Sequence, residues 1–357
     1  MAAIERSDII IREATHSDNE ELLNLTSLTP MKGSISIRID RRPDFFRLLE
    51  LRGSSVVIVA ELNNKLIGSY SASAVNVFID GKLETVYYLG DFKVHPDYRK
   101  TTLAIRLVKA MKHKLESLDA ELLFCTVAHG NDLVAPFFTG RAFLPVFDSV
   151  GIFNVYQIIP TPFKTKNTRY RLEEGPFELS YLSLFNNFMQ KFQLGHIFTE
   201  NSFENTTLLT TSFNDKLVAA IALIDISFAK QNVLIRLSFY LKCIVKLLGL
   251  LNIVVPIIRM PKTGEDVKIL YVKSFAFESG HKEALQVLLA RARRIAWEKE
   301  YTFLSIGIHE KDPDSKLFSG YPHFLFRSMG MITSLKGRKD QINSILKGIV
   351  FEDYSLV

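Results

Sequence analysis

Two periods of apolar spacing alternate along this chain, and each change of period marks an element. Residues 8–13 alternate as a strand, and "SDNEELLNL" from Ser17 follows as a capped helix with acids in its first turn. "SVVIVAEL" and "LIGSYSASAVNVFI" read as strands separated by "NNK", and Asp80-Gly81 in "DGK" is a hairpin turn leading into a third strand, "TVYYLGDFKV". Period then changes. Leu103, Leu107, Met111, Leu115 and Leu118 form one helical stripe, with Arg106, Lys109, Lys112 and Lys114 on other faces. "AELLFCTV" is a continuous apolar run of the kind found in a central strand, and "LVAPFFTGRAFLPVF" is expected to supply a further helix and strand.

The pattern then restarts. After a polar, basic junction, "TKNTRYRLEE", the segment "RLEEGPFELSYLSLFNNF" parallels the first strand and helix. A hairpin turning at Asn214-Asp215 follows, then a third strand "VKILYVKSFAF", a helix "HKEALQVLLARARRIAWEKE" and a strand "FLSIGIH". Eighteen positions separate Ala104 from Leu122 and Leu285 from Phe303, so helix and strand recur in step. This is an internal duplication, and it predicts two domains, 1–164 and 165–357.

One segment has no counterpart in the first half. Val233 to Ile258 is apolar but interrupted by Arg236, Lys242 and Lys246, and its uncharged end from Leu247 falls short of the roughly 20 residues that a membrane span requires. It is expected to form a buried or interfacial helix that packs in a core, lines a hydrophobic acyl or lipid-like site, or contacts a membrane surface.

Composition narrows the function class. The 357 residues are 47% hydrophobic and 23% charged, as in an ordinary folded protein. A net charge of +6 suits a phosphate-bearing ligand without requiring nucleic acid. Both cysteines, Cys125 and Cys243, lie in apolar runs, and the first residues carry acids rather than a secretory signal, which points to the cytoplasm. No cysteine pair or histidine spacing matches a metal site, and no metal is expected.

Chemistry concentrates in "FKVHPDYRKTTLAIRLV". A strand ends at Val94-His95-Pro96, a short basic loop follows, and a helix begins near Leu103. Helix starts leave amides unpaired and carry partial positive charge, so Arg99, Lys100, Thr101, Thr102, Leu103 and Ala104 can together hold an anion. The segment resembles the acyl-CoA-binding motif of the GNAT superfamily of N-acyltransferases, with Arg99 and Ala104 at two motif positions and Thr102 replacing the central glycine. Asn131, Phe138 and Ala142-Phe143 keep the spacing of a second GNAT element, with Phe138 where the family often has an acid tyrosine.

The resemblance implies an α/β (α+β) fold of tandem GNAT-like domains, each a mixed, mostly antiparallel sheet flanked by helices. It further implies acetyl-CoA or another acyl-CoA as co-substrate, an amine as acceptor, pantetheine along the backbone of Phe92, Lys93 and Val94, and Asn131 near the cofactor arm. Thr101 and Thr102 either offer hydroxyls to phosphate or, in the case of Thr101, cap the helix. Gly280, Glu283 and Leu285 stand at the corresponding places of the second half, where an acid opposes a diphosphate. That half is expected to be degenerate, serving to support, to form a homodimer or to shape a cleft.

For the transfer itself the candidates are Asp91 as a base acting through water, and Tyr88, Tyr98 or His129 in place of the missing tyrosine. A non-catalytic acyl-CoA binder and a transferase using a long-chain donor remain as alternatives.

Overall fold

The structure is a computed structural model that describes residues 9–28, 35–131, 136–140, 144–164, 169–237 and 261–357. The first half contributes β1 (Ile10–Glu13), α1 (Asn19–Ser27), β2 (Ile35–Asp40), α2 (Arg47–Arg52), β3 (Ser55–Leu62), β4 (Lys65–Ile79), β5 (Lys82–Val94), α3 (Leu103–Ser117), β6 (Leu122–Ala128) and β7 (Asp148–Ile158). The second contributes β8 (Arg171–Gly175), α4 (Leu182–Met189), β9 (Gly195–His196), β10 (Thr206–Phe213), β11 (Lys216–Ile224), β12 (Gln231–Leu237) and β13 (Ile269–Phe277). After these come α5 (Lys282–Glu298), β14 (Phe303–His309), α6 (Ser315–Ser319), β15 (His323–Ser334) and α7 (Lys339–Lys347).

Tight turns set the hairpins. Asn63-Asn64, Asp80-Gly81 and Asn214-Asp215 all adopt positive φ, the conformation that a two-residue connection between twisted strands requires. The hairpins build one 13-stranded mixed sheet in the order β1-β3-β4-β5-β6-β15-β7-β14-β13-β11-β10-β8, with β9 beside β4. Parallel pairing occurs between β5 and β6 and again between β13 and β14, where α3 and α5 make the crossovers.

The centre of the sheet is exchanged. β15, from the second half, lies between β6 and β7, while β7, from the first half, pairs with β14. The sheet is therefore continuous across the point near residue 165 where the sequence pattern restarts.

Each sheet face has its own core. α3 buries Leu103, Leu107, Val108, Met111 and Leu115 against Val56, Ile58 and Ala60 of β3 and Leu89 of β5. Each such side chain contributes about 1.5–3 kcal/mol by leaving water. On the opposite face α1 and α2 set Leu22, Leu23 and Leu49, with Phe45, on Val57 and Val59. α5 repeats the role of α3 with Leu285, Leu288, Leu289 and Ile295.

Several expectations require correction. Val233–Leu237 belongs to strand β12, because its backbone hydrogen-bonds antiparallel to β2 rather than within a helix; it is not helical. Residues 238–258 of that segment lie outside the described residues. The described parts of "LVAPFFTGRAFLPVF" form turns and a bridge between Thr139 and Val146 rather than an α-helix. Strand β2 and helix α2 had no counterpart in the sequence reading. Among the described residues, no helix is long and apolar enough to cross a membrane.

Candidate active site

The site begins where two strands part. β5 and β6 pair only from Val86–Leu122 to Tyr88–Phe124, and beyond that point β5 continues to Val94 with its β6-facing edge unpaired. An unpaired strand edge presents backbone donors and acceptors in a row, ready for an amide-bearing chain. Phe92, Lys93 and Val94 lie on this edge segment, where the resemblance placed pantetheine.

A bulge shapes the edge. Ser69 pairs with Lys93 but Ser71 with Gly90, so β5 carries an extra residue at Asp91, whose φ is 46°. The turned backbone is pinned by the Ser69 hydroxyl, which donates to the Asp91 carbonyl at 3.0 Å. The carboxylate meets Arg41 Nη1 at 3.1 and 3.3 Å and accepts from the Ser71 hydroxyl at 3.3 Å. Arg41 is almost wholly buried, and its Nη2 donates to the Phe45 carbonyl at 3.1 Å. Sequence reasoning missed Arg41. The signal available was the row Ser69, Ser71, Ser73, a polar period of two inside an apolar strand.

The loop after β5 has its own internal order. A 3-10 turn at Pro96–Tyr98 is followed by the Thr101 hydroxyl, which donates to the Tyr98 carbonyl at 2.7 Å and accepts from the Leu103 amide at 3.2 Å. Thr101 is thus the residue whose hydroxyl steadies the helix start. Thr102 sits at φ −80°, ψ 5°, a conformation open to any residue, so a glycine is not needed there for backbone reasons.

The amides of Lys100, Thr102, Ala104 and Ile105 have no hydrogen-bond partner among the described residues. Arg99 and Lys100 are exposed beside them, and the first turn of α3 contains no acid. Unpartnered amides, the positive end of the helix dipole and two cations are therefore neighbours in the connection from β5 to α3, a setting that suits an anion.

The remaining candidates separate. Tyr88 lies at the fork, buried, with its hydroxyl 2.7 Å from Thr126 across the gap and the Arg52 guanidinium 3.6 Å above its ring. Burial raises its pKa. It shares a face of β5 with Asp91. His129 and Asn131 are exposed beyond the end of β6, where the His129 amide bonds the Arg327 carbonyl, and neither side chain reaches the bulge. Tyr98 packs its ring against His95 at 5.8 Å. Phe138 packs on Phe147 in the α3 core, and Ala142 and Phe143 lie outside the described residues. Cys125 is buried, with its thiol pushed up to about 12 by burial.

Residues 21–143 match the family model described as Acetyltransferase (GNAT) family. The matched stretch spans α1 through β6 and therefore contains the fork, the bulge and the basic loop.

Solved structures extend the likeness to the GNAT fold over nearly the whole chain. N-myristoyltransferase of Saccharomyces cerevisiae with bound myristoyl-CoA superposes with a TM-score of 0.62 at 13% identity, covering 91% of this chain and 82% of that one. A GCN5-related N-acetyltransferase from Anabaena variabilis gives 0.54 at 11% identity, covering 91% and 72%. An Enterococcus faecalis protein, a probable N-acyltransferase, gives 0.52 at 9% identity, covering 92% and 73%. Among curated proteins no sequence matches the chain.

Proposed function

We propose that the protein is a CoA-dependent N-acyltransferase that moves an acetyl group from acetyl-CoA to an amine. One observation carries this reading: the unpaired amides and cations at the start of α3 lie directly downstream of the free edge of β5. The loop would take the diphosphate, the edge at Phe92 to Val94 the pantetheine amides, and the bulge would bring the thioester to the fork.

The amine attacks the thioester carbonyl directly, forming the C–N bond as the C–S bond breaks. Asp91 takes up the amine proton through water, and the departing CoA thiolate is reprotonated from solvent. Arg41 holds the Asp91 side chain in place for this. Tyr88, whose hydroxyl is shared with Thr126, positions the fork rather than donating a proton.

A fatty-acyl donor is the second reading, favoured by the cover of 91% of this chain by a fold seen with myristoyl-CoA. Thermal stability and free-thiol release in the presence of acetyl-, octanoyl- and myristoyl-CoA with a panel of amines test both. Acetyl-CoA should raise the melting temperature and release thiol with at least one amine. Stabilisation that grows with chain length moves the donor to fatty acyl; no stabilisation by any ester overturns both readings, and stabilisation without thiol release leaves a binder.

A further inference from the structure

Next to the bulge, the face of β5 turned away from α3 carries Asp91 and Lys93, with the buried Arg41 against them. Lys93 pairs with Ser69, and Gly90 with Ser71, so these side-chain positions share that face with Tyr88 and Ser73. Gly68, paired with Val94, faces Leu103 and Leu107 of α3 instead. The Lys93 side chain therefore points away from the helix whose N-terminus forms the anion loop.

Asp91 is committed to Arg41 and Ser71. Lys93 is not committed. It is half-buried, and its ammonium has no hydrogen-bond or ion-pair partner among the described residues. Burial pulls its pKa down, Asp91 opposes that pull, and Arg41 and Arg99 add to it.

Behind it, Arg41 is 4% exposed and its Nε is buried without a partner. Lys230, a buried cation that interacts with Arg41, already donates to the Ser355 carbonyl and to a main-chain oxygen of Val357. A half-buried ammonium and a buried guanidinium N–H left over on one polar face are costly unless an anion completes them.

Resting on the N-acyl-transfer reading, we propose that Lys93, backed by Arg41, receives a carboxylate of the acceptor, so that the acceptor is a small amine bearing a carboxylate. Such a zwitterion matches the face: its amine is drawn to Asp91 at the bulge, and its carboxylate lies two residues along the same strand. The backbone of Lys93 serves the acyl donor while its side chain serves the acceptor.

The test compares matched amines with and without the carboxylate, alanine against ethylamine and lysine against 1,5-diaminopentane, by CoA-thiol release with acetyl-CoA. Calorimetric titration of acetyl-CoA runs alongside. The carboxylate-bearing member should be favoured in kcat/KM by about 100-fold, the worth of one charged hydrogen-bonded contact. Lys93→Gln should shrink that preference to about threefold while acetyl-CoA affinity stays the same, and Lys93→Arg should retain most of it.

Equal rates within each pair, or a preference untouched by Lys93→Gln, overturn the proposal. Loss of acetyl-CoA affinity in Lys93→Gln with the preference intact also overturns it, because Lys93 would then serve a CoA phosphate. The calorimetry separates the two levels: failure of wild-type protein to bind acetyl-CoA defeats the acetyl-transfer reading, whereas binding without carboxylate preference defeats this subsite alone.

Discussion

The chain contains the same fork twice, and its two copies are occupied differently. β13 and β14 pair from Ile269–Phe303 to Tyr271–Ser305 and then diverge, as β5 and β6 do after Tyr88–Phe124. Both carry a bulge just past the fork, at Asp91 in one and at Lys273 in the other. The first is followed by a basic loop and an acid-free helix start; the second by Glu283, in the first turn of α5.

The protein's own chain lies across the second fork. Asp353 meets Lys273 at 2.9 Å, and the Tyr354 ring lies on Gly307 of β14. The same tail is tied to the first half by Arg52, which bonds Glu352 at 2.8 Å and the Leu356 carbonyl at 2.7 Å. Backbone divergence alone does not make a ligand site. The charge of the following loop, and whether a segment of the chain already fills the gap, decide which fork is free.

The largest way to break this contrast is Asp353→Ala. It leaves Lys273, only 7% exposed, without its counter-ion, and should cost about 3–5 kcal/mol in chemical denaturation. A cost under 1 kcal/mol would mean that the tail does not hold the second fork.

Gly307→Thr is next. Thr126 occupies the corresponding position of β6 and bonds Tyr88, but a Cβ at Gly307 would run into the Tyr354 ring, and the substitution should cost about 1–3 kcal/mol. The reverse change, Thr126→Gly, meets no clash and should cost about 1–2 kcal/mol, from the lost hydrogen bond to Tyr88 and the freer backbone.

The smallest effect is one of pH. Asp312, beside the tail, is raised to about 6 by burial. The folded protein therefore binds that proton more tightly than the unfolded chain, and stability falls as pH rises from about 4 to 6. Asp312→Asn should remove that fall and stabilise by about 1–2 kcal/mol above pH 6, with little effect below pH 4, as read from melting curves across pH.

Much of this was legible in the sequence where the cause is local. The hairpin turns, the stripe of α3 and the basic loop follow from residues a few positions apart. Whether Thr102 could stand in place of a glycine was not legible, because the backbone angle is not written in the sequence; at φ −80° the backbone accommodates threonine. The exchange of β7 and β15 was not legible, because pairing partners more than a hundred residues apart leave no periodic trace in either strand. Arg41 escaped for a similar reason: its partner Asp91 is remote in sequence, and nothing around it signals burial. The tail "FEDYSL" carries two acids within an apolar run, and these are what a buried strap needs to meet Arg52 and Lys273.

The central claim is that only the first fork takes acyl-CoA, and calorimetric titration with acetyl-CoA measures this most directly. The account predicts one site per chain, weakened about 100-fold or more in the double variant Arg99→Glu, Lys100→Glu and unchanged in Glu283→Gln. Two sites per chain, or one site that survives the charge reversal at Arg99 and Lys100, would contradict it.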